Sequence, residues 1–245
     1  MARQAPGRTD LTETREEARR LLFSAGENPY PAKISHSHTV GRLLTEFDTL
    51  REQATTVRVA GRVWSRRDHG QLTFLDLQAN AHAPRVEVLV RTGAISAIDG
   101  THLSHTNPGD WVVVAGKCIL SKTGERTLDA SEVRVICKST TPLPNTKGSV
   151  TTDPELLARQ PEVAMIVGDK AKRLRDRSTI LRTARGILNA AGLTEIETPY
   201  LSPFFGGADA RPFTTHVNAM DIDVFLAISP EIELKRFRKY IREPY

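Results

Sequence analysis

The chemistry this sequence offers begins with Arg66, Arg67, Phe74, Gln78, Glu87 and Glu132. They fall on or beside short stretches where apolar and polar residues alternate, the pattern of a half-buried β-strand. Together they supply what a surface needs to hold an unpaired nucleotide: an aromatic ring for a base, cations for phosphate, and polar groups for base edges. Phe74 is the stacking candidate. The competing reading puts Phe74 in the core and leaves the charges as a solvated face. A second group lies further on, where Gly206-Gly207-Ala208 precedes Arg211-Pro212-Phe213. Paired glycines let a backbone approach a ligand closely, and they also serve as a plain tight turn. Glu231, near the start of a helix, has the charge to hold an ammonium group or simply to complement the helix dipole.

Other chemistries find no footing. The sequence contains neither GxxxxGK[ST] nor GxGxxG, and no serine or cysteine stands in a nucleophile motif. His36 with His38 and His102 with His105 have loosely metal-like spacing, but no cysteine or acidic cluster accompanies them, so no metal is expected. The only cysteines, Cys118 and Cys137, imply no disulfide framework and fit a reducing compartment. No apolar run is long enough for a bilayer, and Met1 to Thr12 lacks a signal-peptide core. A cytoplasmic protein is the resulting expectation. Lys and Arg number 34 against 29 Asp and Glu, giving a net charge of +5 and a pI near 9.4. That balance favours a polyanionic partner, although a mildly basic protein needs none.

These candidates must be carried by particular elements. A helix is expected from Asp10 to Ala25, capped by Asp10 with Glu13 and stopped at Gly26, with Glu13, Arg15, Glu16 and Arg19 on its outer face. Strands are expected at Val57–Trp64, Leu72–Leu77, Arg85–Val90, Trp111–Leu120 and Leu128–Cys137, with a helix between the third and fourth. Lys122-Thr123-Gly124-Glu125 reads as a hairpin turn. Five strands in this order match an OB-fold barrel, whereas an immunoglobulin-like sandwich would need more strands and no helix. The stretch Pro142–Gly168 is rich in Pro, Thr, Asn and Gly and reads as a linker. A basic amphipathic helix then runs to Gly192. Strand-like segments follow at Leu193–Thr198, Phe213–Val217 and Asp221–Ile228. Ser229-Pro230 opens a last helix reaching Arg242. The overall expectation is α+β: an arm (1–50), an OB-fold (51–145), a linker (146–168) and a partial antiparallel α/β domain (169–245).

Several stretches resemble the class II aminoacyl-tRNA synthetases of the aspartate, asparagine and lysine subgroup. Gly61-Arg62-Val63-Trp64-Ser65-Arg66-Arg67-Asp68 with Gly70, Phe74 and Asp76-Leu77 looks like the subgroup's anticodon-binding strands. Asn28-Pro29-Tyr30-Pro31, the run from Lys122 through Ser131-Glu132 to Pro142-Leu143-Pro144, and Gly206-Gly207-Ala208-Asp209-Ala210-Arg211-Pro212-Phe213 favour the lysine–tRNA ligase branch. The resemblance implies that Phe74 stacks on an anticodon base and that Arg67, Glu87 and Glu132 read or position the loop of a lysine-type tRNA with a U-rich anticodon. It makes the helix bearing Leu181 and Leu188, a strand at Thr194–Thr198 and Pro199 the family's motif 1. That motif is a dimer interface, for a second copy or a full-length synthetase. Gly206 and Gly207 would line an amino-acid pocket, and Glu231 would bind the α-ammonium of lysine.

The same comparison carries departures. The family uses ATP and magnesium, held by motifs 2 and 3, and neither motif is found after the Glu231 helix. Gln160–Gly168 also replaces an Arg-rich segment. The expectation is a truncated ligase-like chain that binds tRNA, needs no cofactor of its own and cannot form lysyl-adenylate alone. The alternative is a stand-alone tRNA-binding module or a partner of the full-length enzyme.

Overall fold

The structure is a computed structural model that describes residues 8–80, 82–121, 123–143 and 154–241. The chain divides between Asp176 and Arg177 into two compact units. The first opens with helix α1 (Arg8–Ser24), followed by a short strand β1 (His38–Thr39) and helices α2 (Val40–Thr45) and α3 (Phe47–Glu52). The strands β2 (Thr56–His69), β3 (Leu72–Gln78), β4 (Val86–Arg91), β5 (Trp111–Leu120) and β6 (Arg126–Cys137) come next, with helix α4 (Ala97–Ser104) between β4 and β5. The strand and helix order expected from sequence is present. β1, α2 and α3 are additions to it.

The five long strands close into a ring. β2 pairs with β5 through its first half and with β3 through its second; β3 pairs with β4, β4 with β6 in parallel, and β6 with β5. Closure follows from the sequence pattern. Val57, Val59 and Val63 on β2, Leu75 and Leu77 on β3, and Val86, Val88 and Val90 on β4 all point inward and are essentially inaccessible. Phe47 and Leu43 from the short helices and Leu22 from α1 join the same core. A ring also leaves none of its strands with an unpaired edge. β2 carries a register shift between Val63 and Ser65, which resets the side-chain alternation just before Arg66 and Arg67.

Polar residues fasten α1 to the ring, contrary to the expected outer face. Arg15 is 7% exposed and donates to the Pro108 carbonyl at 2.8 Å and the Ser139 carbonyl at 3.3 Å. Asp10 lies inside α1 and therefore is not its cap. Beneath Arg15, Lys138 and Asp110 form a fully buried ion pair, Nζ to Oδ2 2.7 Å. Lys138 also donates to the His105 carbonyl, and Asp110 accepts from the backbone N–H groups of Asn107 and Ser139. Burial pushes the Lys138 ammonium below its ordinary value, while Asp110 pulls it back up. Burying both charges is tolerable because each is matched by the other and by further hydrogen bonds with the backbone. His102, 1% exposed, donates from Nε2 to Glu27 and accepts from the Val135 N–H.

The expected linker is partly helical within the described residues. α5 (Pro154–Arg159) and α6 (Pro161–Val167) occupy its second half, and Val163, Ala164 and Val167 are buried. Pro161 suits a first helical position, where no N–H is needed, and the apolar run after it gives α6 a face to bury. α7 (Lys170–Ala190) follows and stops at Gly192, whose φ of +78° terminates the helix. The second unit also holds a small sheet of order β7 (Leu201–Ser202), β9 (Ile222–Leu226), β8 (Thr214–Val217), and helix α8 (Glu231–Ile241). The strand expected at Leu193–Thr198 is not formed; those residues are irregular. The expected end of α8 at Arg242 and the turn residue Lys122 lie outside the described residues.

Replacing Asp110 with Ala strands the buried Lys138 ammonium. The expected outcome is a loss of about 3–5 kcal/mol in the urea unfolding of the first unit; a shift below about 1 kcal/mol would remove the pair from its structural role.

Candidate nucleic-acid interface

Phe74 sits on the outer face of the ring. Its neighbours Leu75 and Leu77 are completely buried, and strand periodicity sends Leu72, Phe74 and Asp76 the other way. Phe74 itself is half-buried, so the core alternative for it is not realised. Arg67 stands opposite Phe74 in the β2–β3 pairing, with its guanidinium carbon 5.8 Å from the ring centroid. His69 meets the ring edge-on at 6.0 Å. Cation–π contact holds the guanidinium beside the ring without hiding all of the π-face.

Carboxylates fix Arg67 from below. Its Nη2 donates to Glu87 Oε2 at 2.8 Å and lies 3.5 Å from Asp76. Thr127 donates to the other Glu87 oxygen at 3.2 Å, the Ser65 hydroxyl donates to Asp76, and Arg85 stands 3.7 Å from Asp76. Glu87 and Asp76 are 8% and 7% exposed, and their charges are compensated by Arg67 and Arg85. The result is an open groove of about 640 Å³. Phe74, Leu72 and Leu89 form its apolar floor. Arg67, Glu87 and Arg91 add charge, and the β5–β6 turn contributes Ser121, Thr123 and Glu125 as a wall. An aromatic ring, flanking cations and polar edges in one groove can stack a planar base and hold the phosphate beside it.

The other expected members are placed elsewhere. Arg66 follows the register shift and points away from Phe74. Its Nη1 donates to the carbonyls of Leu103 and Thr106 at 2.7 and 2.8 Å, closing the end of α4, and its Nε reaches Asp68. Gln78, 8% exposed, donates to the Ala83 carbonyl at 3.0 Å and braces the β3–β4 loop. Glu132 is gripped through both oxygens by Arg58, at 2.8 and 3.1 Å, at the far end of β2. The structure thus brings Arg67, Phe74 and Glu87 together and leaves Arg66, Gln78 and Glu132 out of that groove. Leu89 and Arg91 were missed, and Asp76 was quoted with the strand motif but given no role. Asp76 was legible, because it shares the Phe74 face by strand alternation; the turn residues depend on how β5 and β6 fold back, which no local pattern states.

The glycine pair has a packing role. Gly207 adopts φ +84°, and a Cβ there would sit 3.1 Å from the Ser229 Cβ; a Cβ on Gly206 would come within 2.8 Å of Ile232. Their lack of side chains lets this loop press onto the first turn of α8, where the Ser229 hydroxyl accepts the Glu231 N–H. The adjoining cavity, lined in part by Phe205, Gly206, Ile232, Glu233 and Arg236, is about 30 Å³, room for about one or two waters. Glu231 is exposed and bonded to Lys235, whose hydrogen bond and charge hold the carboxyl below its ordinary value. On α7, Leu181 and Leu188 are 42% and 50% exposed, and Pro199 is exposed. Among the described residues no group of three His, Cys, Asp or Glu side chains is placed to hold a metal ion, and no helix is long and apolar enough to cross a membrane.

Residues 153–238 match the family model of class II tRNA synthetases (D, K and N). The chain is similar to the lysine–tRNA ligase of Clostridium perfringens, 36% identical over 218 residues, covering 88% of this chain and 42% of the relative. It is also similar to that of Thermosipho africanus, 34% identical over 234 residues, covering 93% and 46%, and to that of a Thermotoga species, 36% identical over 221 residues, covering 88% and 43%. The chain spans less than half the length of these relatives.

Gly207→Ala forces an L side chain into a left-handed conformation and against Ser229. A cost of about 1–3 kcal/mol is expected, read as a lowered thermal transition of the second unit. An unchanged transition would show that the loop does not depend on this contact.

Proposed function

The chain is a homologue of the lysine–tRNA ligases with a class II tRNA synthetase (D, K and N) segment, and on that premise we propose that it binds tRNA through the outer face of its strand ring. The observation that carries this reading is Phe74, turned outward beside Arg67 in a groove built on Glu87. On this reading the ring, residues 51–145, is an OB-fold anticodon-binding domain of a cytoplasmic protein of translation. Its substrate is a lysine-type tRNA with a U-rich anticodon, one base stacking on Phe74. Arg67 positions phosphate, and Glu87 and the β5–β6 turn discriminate base edges. Arg66, Gln78 and Glu132 act behind this face by supporting α4, the β3–β4 loop and β2.

Amino-acid activation is not assigned to the described residues on their own. The cavity beside Gly206 is small, and the exposed Glu231 is bonded to Lys235 of its own helix. The family's ATP and magnesium are not assigned to these residues. The α8 cations Lys235 and Arg236 stand on an exposed helix, paired with Glu231 and Glu233, where charge is screened and not preorganised.

A second reading, association, has its own observation. α7 buries none of its residues, although Leu174, Leu181 and Leu188 recur along one face and Ile180 and Ile187 stand 67% and 65% exposed. A helix with an apolar stripe gains most of its stability by covering that stripe. A second copy, or a full-length lysine–tRNA ligase, is the proposed cover, since twofold pairing is the commonest closed solution.

Two outcomes are expected. Phe74→Ala weakens tRNA binding by about 1–3 kcal/mol in a filter-binding titration at fixed salt, and equal affinities would remove the stacking role. In sedimentation the chain runs as a dimer, or as a heterodimer when mixed with a full-length homologue; a monomer in both runs would contradict the association.

A further inference from the structure

α7 has a second face that the apolar stripe does not explain. Lys172, Arg175, Thr179 and Arg182 follow one another at spacings of three and four residues, which stacks them in one row along the helix. The row lies across the helix from the one formed by Leu174, Leu181 and Leu188. Every residue from Lys172 to Ala190 is exposed.

The pairing of charges on α7 is incomplete. On the strand ring Arg58, Arg67, Arg91, Arg126 and Arg134 each hold a carboxylate. On α7, Lys172 takes Asp176 at 2.6 Å, Arg173 takes Asp169 at 2.9 Å and Arg185 takes Glu195 at 2.8 Å. Lys170, Arg175, Arg177 and Arg182 have no salt bridge to a carboxylate among the described residues; Arg175 and Arg182 are the two of these that fall in this row, and the one side-chain contact seen for Arg182 is a 3.5 Å approach to the Thr179 hydroxyl. Two unneutralised guanidiniums therefore stand about 10 Å apart on the same side of one rigid helix, with the small Thr179 between them. Such a face suits a ligand with regularly repeated negative charge, and guanidinium is the side chain best shaped for phosphate oxygens.

We propose that the Lys172–Arg175–Arg182 row of α7 is a second RNA contact, made to the phosphate backbone and indifferent to sequence. It rests on the reading that the chain binds tRNA, and it extends that binding beyond the base-reading groove. Because the row faces away from the apolar stripe, pairing of α7 with another chain leaves it free. The two surfaces divide the work: the groove at Phe74 selects, and the α7 row adds salt-dependent affinity.

The experiment is a salt titration of the whole chain with a tRNA bearing a U-rich anticodon and with the same tRNA carrying an anticodon without U. Three proteins are compared: wild type, the double variant Arg175→Ala with Arg182→Ala, and Phe74→Ala. Alanine is the best helix former, so circular dichroism of the double variant should match wild type. The double variant is expected to lose affinity for both RNAs by the same factor, with the slope of log K against log salt falling in magnitude by roughly two. Its preference for the U-rich anticodon should be unchanged. An unaltered slope and affinity in the double variant would overturn the α7 contact, while the effect of Phe74→Ala would still stand for the groove. A reduced slope in the double variant with no effect of Phe74→Ala would support the α7 contact and remove the groove reading instead. Loss of preference in the double variant, with an unchanged slope, would also overturn the proposal.

Discussion

Arg67 and Phe74 face each other across the antiparallel pairing of β2 and β3, and the apolar residues beneath them hold that register. Leu75 and Leu77 occupy the core with no exposure; a slip of one residue would bury Phe74 and expose both leucines. The register shift between Val63 and Ser65 completes the arrangement. It sets which of two adjacent, oppositely pointing arginines shares the Phe74 face: Arg67 does, and Arg66 turns to the end of α4. The groove, its charge and its proposed ligand all follow from this local geometry.

Buried charge supports that geometry from a distance. The Lys138–Asp110 pair and Arg15 tie α1 and the start of β5 to the end of β6, the segments that close the ring on one side. Such a cluster adds little stability compared with an apolar one. Its members are satisfied together with α1 docked where Arg15 reaches Pro108 and Ser139. Near the groove the same logic acts on Glu87 and Asp76, whose burial is tolerable only while Arg67 and Arg85 remain in place. Arg67 therefore supports the fold at the same place where phosphate contact is proposed.

Much of the ring was legible because its strands obey a period of two and its turns carry glycine. Val57, Val59 and Val63, or Leu75 and Leu77, announce an inner face without any knowledge of the whole. What escaped depends on contacts far apart in sequence. Arg15 looks like any charged residue on an amphipathic helix, and only Pro108 and Ser139 explain its burial. The short helices α2 and α3 lack the length to show a period, and α5 and α6 were hidden by the prolines that start them. The segment Leu193–Thr198 has strand-like residues but pairs with none of the described strands, so composition alone misjudged it. Among the site residues, Phe74, Arg67 and Glu87 were recoverable from type and position. Alternation sends one of the adjacent Arg66 and Arg67 away from Phe74; which one was not legible, because an irregularity in strand pairing leaves no mark in composition.

The central claim is that RNA meets the ring at Phe74. It is tested most directly by following backbone amide resonances of the whole chain while a short anticodon stem-loop RNA with a U-rich loop is added. The account predicts that the largest changes on the ring fall at Arg67, Phe74, Glu87 and Leu89 and in the turn at Ser121–Glu125, with Glu132 and Gln78 little affected. Changes confined to α1, or centred on Arg58 and Glu132 with Phe74 unmoved, would contradict it.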